Sequence, residues 1–212
     1  TLGQMAGIGW NLSRTIEPVK PAFRLREWII VSLPIFLVEG FFFLLTNMDV
    51  LMVGFFMEPH DVAIYFATVK TLALVHFVYF AVKAGAAQRY AQFTHSDPAR
   101  LARFARETVS WTFWPSLVLA FVILAIGRPM LMLFGADFVT GYPLLFVQLI
   151  GVVARAAVGP AESLLTMSGN QNSCALVYGA TLALNLALCF ALIPSFGLWG
   201  AAAATAISMM FE

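Results

Sequence analysis

The stretch Trp28-Ile-Ile-Val-Ser-Leu-Pro34-Ile-Phe-Leu-Val-Glu39-Gly-Phe-Phe-Phe-Leu-Leu-Thr-Asn47-Met-Asp49-Val-Leu-Met-Val-Gly-Phe-Phe-Met57 decides how the rest of the chain is read. Glu39 and Asp49 are its two ionisable side chains. At about 1.5 Å rise per residue, roughly 20 apolar residues cross a bilayer core of about 30 Å. This run is long enough to do so, with Pro34 as a helix-kinking residue near its start. Outward from it the same pattern recurs, and the reading is an all-α, polytopic transmembrane bundle of about six helices. The predicted spans are residues 28–57, 62–87, 109–126, 142–167 and 174–193, with a sixth from 198 that is cut off at 212.

Composition agrees. Of 212 residues, 61% are hydrophobic and 11% are charged, where a soluble domain has about 25% charged. Mean hydropathy is +0.86. A formal net charge of +1 with no long basic stripe excludes a nucleic-acid binder driven by net charge. The same composition excludes a disordered or collagenous chain. Cys174 and Cys189 lie in apolar surroundings without metal-ligand spacing and read as small core hydrophobes. Thr1 and the unfinished apolar run at Glu212 lead us to expect a piece of a longer membrane protein. Residues 1–27 hold Gly, Pro and basic side chains, and read as the end of a preceding helix and a linker.

The connections are short and polar. Glu58-Pro-His-Asp61, Asn170-Gln-Asn-Ser173 and Leu192-Ile-Pro-Ser-Phe-Gly197 read as turns between spans. Ser96-Asp97-Pro98 reads as a helix start, with Ser96 or Asp97 as cap and Pro98 in the first turn. Gly127-Arg-Pro129-Met-Leu-Met-Leu-Phe-Gly135 is too short to span and is expected to form a separate short helix at the interface; the alternative is that it extends the third span with a kink at Pro129. Arg14, Lys20, Arg24 and Arg26 precede the first span, and Arg89, Arg100, Arg103 and Arg106 lie between the second and third. The opposite side holds Glu58, Asp61, Arg128 and Asp137. By the positive-inside rule, loops 1–27 and 88–108 are cytoplasmic, and so is the Asn170 turn.

Ionisable groups at bilayer depth are costly and by default face a protein interior or a watery cavity. This chain keeps Glu39, Asp49, Lys70, Lys83, Arg155 and Glu162 there, accompanied by Asn47 and His76. Folding the first two spans about Pro59 puts Asp49 and Lys70 at nearly one depth, and Glu39 near Lys83. We therefore expect two tiers of opposite charge, with an Asp49–Lys70 pair as one of them. His76 and Lys83 share a helix face, from which Lys70 points away; Lys83 also has the option of snorkelling to the interface. Arg155 sits where snorkelling is hardest, and its planar guanidinium suits phosphate or carboxylate. Glu162 is seven residues on, with Gly159-Pro160 between them to kink the helix and free a carbonyl. Arg155 then either contacts a substrate or is pinned to Glu39, Glu162 or backbone carbonyls. No phosphate-binding Gly-rich loop, His-Glu-x-x-His motif, Gly-x-Ser-x-Gly motif or carboxylate dyad occurs, so we expect no enzyme, metal or cofactor. Asn11-Leu-Ser13 is a chance glycosylation match.

Four stretches carry a family resemblance. They are Asn47-Met-Asp-Val-Leu-Met-Val-Gly54 with Asp61-Val-Ala-Ile-Tyr65, then Leu133-Phe-Gly-Ala-Asp-Phe138, then Ser168-Gly-Asn170. The fourth is Asn185 with Leu192-Ile-Pro-Ser-Phe-Gly-Leu-Trp-Gly-Ala-Ala202 and Ala204-Thr205. In order and spacing the chain resembles the C-terminal half of an oligosaccharide (O-antigen type) flippase of the multidrug/oligosaccharidyl-lipid/polysaccharide exporter superfamily, over about residues 28–212. The resemblance implies the second of two six-helix bundles around a central cavity, alternating access, and a lipid-linked oligosaccharide on a polyprenyl pyrophosphate as cargo. It implies a bacterial inner-membrane location and a missing N-terminal bundle. Arg155, Lys70 and Lys83 are the candidates for pyrophosphate or sugar contacts, chosen by depth. Asp49, Glu39, Glu162 and His76 are the candidates for ion or proton coupling, and Asn47 for the polar cavity; a satisfied core histidine is the alternative reading of His76. The drug-exporting branch of the superfamily, a cation-coupled antiporter, is the alternative reading. A membrane-embedded polysaccharide polymerase or glycosyltransferase is a further one.

Overall fold

The computed structural model describes residues 25–212. The expectations placed on residues 1–24, including the linker, three of its basic residues and the Asn11 sequon, lie outside the described residues. The chain divides into two units, 1–32 and 33–212. In the first, residues 25–32 are helical; everything below concerns the second.

In chain order the helices are α1 (Leu25–Phe56), α2 (Pro59–Ser96), α3 (Pro98–Met132), a 3-10 segment (Ala136–Gly141), α4 (Tyr142–Val158), α5 (Ala161–Met167), α6 (Gln171–Phe196) and α7 (Leu198–Phe211). Among the described residues there is no strand. Five helical stretches are long and apolar enough to cross a membrane, with Leu198–Phe211 as a shorter apolar helix. The chain is a multi-pass, all-α membrane bundle. Its turns gather at two ends. Met57 lies close to Gly197, and Ile64 to Gly141, whereas Thr94 reaches Ser168 at the other end.

The helix starts follow local chemistry. Asp97 accepts the amide of Arg100 at 3.0 Å through its side chain, with Pro98 in the first turn, as its type and position dictate. α2 and α3 are longer than the apolar runs inside them. Their 38 and 35 residues correspond to about 57 and 52 Å, well beyond a core of about 30 Å. Hydropathy marks only the part of a helix that lipid requires. The Arg-, Ala- and Gln-rich flanks continue the helix because these residues favour it.

The expected interfacial helix at 127–135 is not formed; α3 continues through Pro129 to Met132. Its buried face explains why. Phe104, Thr108, Thr112, Ser116, Ala120, Ile123, Gly127 and Leu131 form one stripe at steps of three and four, and that stripe passes Pro129 unbroken. Proline removes one helix hydrogen bond. Nearby, the Tyr142 hydroxyl donates to the Leu124 carbonyl at 2.7 Å, while Leu131 is fully buried with Leu145 and Ile123. Packing therefore holds the last turn in line.

The fourth span is interrupted as Gly159-Pro160 predicts. Gly159 takes φ 71°, its amide turns to the Ala156 carbonyl, and that of Ala161 turns to Gly159. α7 is lined with small buried residues, Gly200, Ala201, Ala202 and Ala204, which let helices approach closely. Against it, a Cβ on Gly151 of α4 would stand 2.7 Å from the Ala206 Cα. α7 thus packs on α4 and, through Gly200, on the Leu192 backbone of α6. Cys174 and Cys189 are buried and free, each in a different apolar cluster, as small hydrophobes.

Candidate functional site

The polar side chains sort by distance from the end that holds Met57, Gly141 and Gly197. Counting 1.5 Å per residue, Asp49 and Gln148 lie about 10–12 Å in, Arg155 and Glu212 about 20 Å, and Glu39, Lys83 and Tyr178 about 27–36 Å. A polar column thus follows the bundle through most of the thickness of a bilayer core.

At its first level, Asp49 is 2% exposed. Its carboxylate accepts the Tyr65 hydroxyl at 2.9 Å, the Thr205 hydroxyl at 3.2 Å and the Val50 amide at 2.8 Å. The expected Asp49–Lys70 ion pair is not formed. Lys70 is exposed on α2, with its ammonium 4.9 Å from the centre of the Phe66 ring. The two residues are at one depth and border one cavity, but Asp49 is buried inside the bundle while Lys70 stands at the exposed rim. Tyr65, Thr68 and Leu72 turn inward, whereas Lys70 follows Phe66 by four residues and shares its outward face. The other predicted tier is present: Lys83 Nζ lies 3.1 Å from Glu39 Oε1 and 2.7 Å from Glu162 Oε1. Lys83 is tied between two carboxylates.

Arg155 is almost fully buried. Its guanidinium lies between the Phe42 and Tyr79 rings, 4.8 and 4.7 Å from their centres, a geometry in which both π faces favour the cation. Nη2 meets Glu212 Oε1 at 2.8 Å and the Tyr178 hydroxyl at 3.4 Å. That hydroxyl also lies 2.6 Å from Glu212 Oε1 and 3.3 Å from Glu162 Oε2. Tyr178 therefore joins the Arg155–Glu212 pair to the Lys83–Glu162 pair. The whole chain of contacts draws on α1, α2, α4, α5, α6 and the residue that follows α7. Arg155 is pinned, but by Glu212 rather than by Glu39 or Glu162.

Between these levels is a cavity of about 150 Å³, bordered among others by Asp49, Lys70, His76, Gln148, Arg155 and Glu212. Its walls hold polar atoms that are buried without a hydrogen-bond partner: His76 Nε2, both amide atoms of Gln148 and Arg155 Nε. A buried unmatched polar group costs about 1–3 kcal/mol. Four such atoms on one cavity mark it as a place for water or a polar ligand, and its volume accommodates several waters. Phe42 and Phe80 supply apolar wall.

Of the residues singled out from sequence, Asp49, Lys70, His76 and Arg155 meet at this cavity, and Glu39, Lys83 and Glu162 meet beside it. Asn47 does not border the cavity; its amide donates to the Phe43 carbonyl of its own helix at 2.8 Å. That corrects the polar-cavity assignment, since an amide that back-bonds within its helix offers nothing to the interior. Sequence reasoning missed Gln148, Tyr79, Tyr178 and Glu212. Gln148 had a signal: it precedes Arg155 by seven residues, as Arg155 precedes Glu162, so the three share a face of an ideal helix. Tyr79 lies on the face of His76 and Lys83. Glu212 closes an apolar run and has no pattern to flag it.

No protein-family model, curated protein or solved structure matches the chain.

Proposed function

We propose that this bundle is one half of an alternating-access transporter that carries a lipid-linked oligosaccharide across a bacterial inner membrane. The observation that supports it best is the set of unmatched buried polar atoms of His76, Gln148 and Arg155 around one cavity inside a membrane bundle. Buried polar atoms of this kind are matched by water or a ligand in native proteins, which gives the bundle a polar interior of the sort a transport pathway needs. The cargo follows from the resemblance set out above. In this reading Arg155 is held against two rings and Glu212 occupies one edge of its fork. A pyrophosphate enters by taking that edge, and the displaced carboxylate keeps the Tyr178 hydroxyl. Lys70 adds a second cation from the cavity rim, while Lys83 stays committed to Glu39 and Glu162 until those contacts open. A second bundle supplies the opposite wall, and rocking of the two exposes the head group to the other side.

One observation favours the second reading, a cation-coupled antiporter. The Asp49 carboxylate is buried among neutral donors and has no cation partner among the described residues, a setting suited to binding a proton or a monovalent cation. Surface-polysaccharide export by cells carrying the intact protein tests the first. Arg155→Ala should abolish export and Arg155→Lys should reduce it at normal protein level. Unchanged export by both removes Arg155 from the mechanism. Asp49→Asn that spares polysaccharide export but stops ion-driven efflux of a cationic dye selects the second.

A further inference from the structure

α3 carries a second feature that neither transport reading uses. Its N-terminal end presents Arg103, Arg106, Glu107, Ser110 and Trp111 along an open surface groove, with Trp114 three residues beyond. Trp111 and Trp114 are 48% and 61% exposed. The arginines of this region fall into two kinds. Arg89 and Arg100 are laid over the Phe104 and Phe93 rings, both at 5.6 Å. Among the described residues, Arg103 and Arg106 enter no ion pair and lie over no ring. They are free cations on an exposed face.

Depth explains their company. Measured back from Met132, Trp114, Trp111, Arg106 and Arg103 stand about 27, 32, 39 and 44 Å along the helix. The hydrocarbon core is about 30 Å thick, and about 40–45 Å with its head groups. With Met132 at one edge of the core, the two tryptophans reach the other edge, where indole rings concentrate. The head-group layer beyond then ends at about 35–38 Å; the arginine backbones stand at and just past its outer face, from which their long side chains reach back into it. Guanidinium is the side chain best matched to phosphate oxygens, and a basic cluster next to a membrane edge draws anionic lipid.

We infer that Arg103 and Arg106, with Trp111 and Trp114 beneath them, bind the head group of an anionic phospholipid. The two guanidiniums take the phosphodiester oxygens, a glycerol head group donates its hydroxyls to Glu107, and the acyl chains run down past the tryptophans. The inference rests on the membrane-spanning reading and on no particular cargo. It is tested on the full chain, purified in detergent and offered equal amounts of phosphatidylglycerol and phosphatidylcholine, with retained lipid counted by native mass spectrometry. The wild type should retain the anionic lipid several-fold over the zwitterionic one. Arg103→Gln with Arg106→Gln should bring the ratio near parity, Arg103→Lys with Arg106→Lys should keep most of the preference, and Arg128→Gln near the opposite end should leave it unchanged. A wild-type ratio in the double Gln variant, or an equal loss in Arg128→Gln, overturns the site. Carbonate extraction of membranes separates the two layers of the argument. A chain released by carbonate overturns the spanning reading itself, and a chain that resists it but shows no lipid preference overturns this inference alone.

Discussion

Arg155 shows how one residue gathers its surroundings. A buried guanidinium is tolerable only with a carboxylate and further polar or aromatic contacts, and it has all three: Glu212, Tyr178 and the two rings. Removing one member of a buried pair costs about 3–5 kcal/mol, because the other is left uncompensated, while replacing both with apolar groups is often neutral. Glu212→Ala should therefore lower the thermal unfolding temperature of the detergent-purified protein by several degrees. Arg155→Met combined with Glu212→Met should recover most of that loss. If the double variant is less stable than the sum of the two single changes, the pair does not stabilise in this way. The type and depth of Arg155 were legible in the sequence. Its partner was not, since Glu212 lies 57 positions away and only the packing of α7 on α4 brings them together. Likewise, depth counting brought Asp49 and Lys70 to one level, but the rotation of α2 left Lys70 at the exposed rim of their shared cavity and unpaired with the buried carboxylate.

At the scale of elements, small residues set how closely helices approach. The α3 stripe of Thr, Ser, Ala and Gly was written in the sequence at steps of three and four. A reading by hydropathy and proline position nevertheless placed a boundary at Gly127. Burial of Leu131 overrides the proline, and no local rule contains that long-range contact. The α4–α7 contact is tighter still. Gly151→Val should force its side chain into the Ala206 backbone, and overpacking of this kind destabilises by about 1–3 kcal/mol. A clear fall in unfolding temperature is the expected result; an unchanged value would mean that the two helices are farther apart than described. The Gly159-Pro160 break was the most legible element of the site, because both residues act through backbone conformation alone.

For the molecule as a whole, orientation is the property that organises the rest. Both native cysteines are buried, so a reactive one can be introduced singly. Ser96→Cys and Asn170→Cys should react with a membrane-impermeant maleimide only after cells are opened. Glu58→Cys should react in intact cells (or in spheroplasts, where an outer membrane bars the reagent). The reverse pattern would invert the assignment of the Arg-rich end to the cytoplasm. The sequence by itself determined the all-α membrane class, the number and order of the apolar spans, and where along each span its charges fall. These depend on the hydropathy of contiguous segments and on a fixed rise per residue. The tertiary structure decided which charges meet, which polar atoms are left unmatched and where the cavity lies. Those depend on helix rotation and on contacts between distant segments, and a periodic apolar sequence carries almost no information about either.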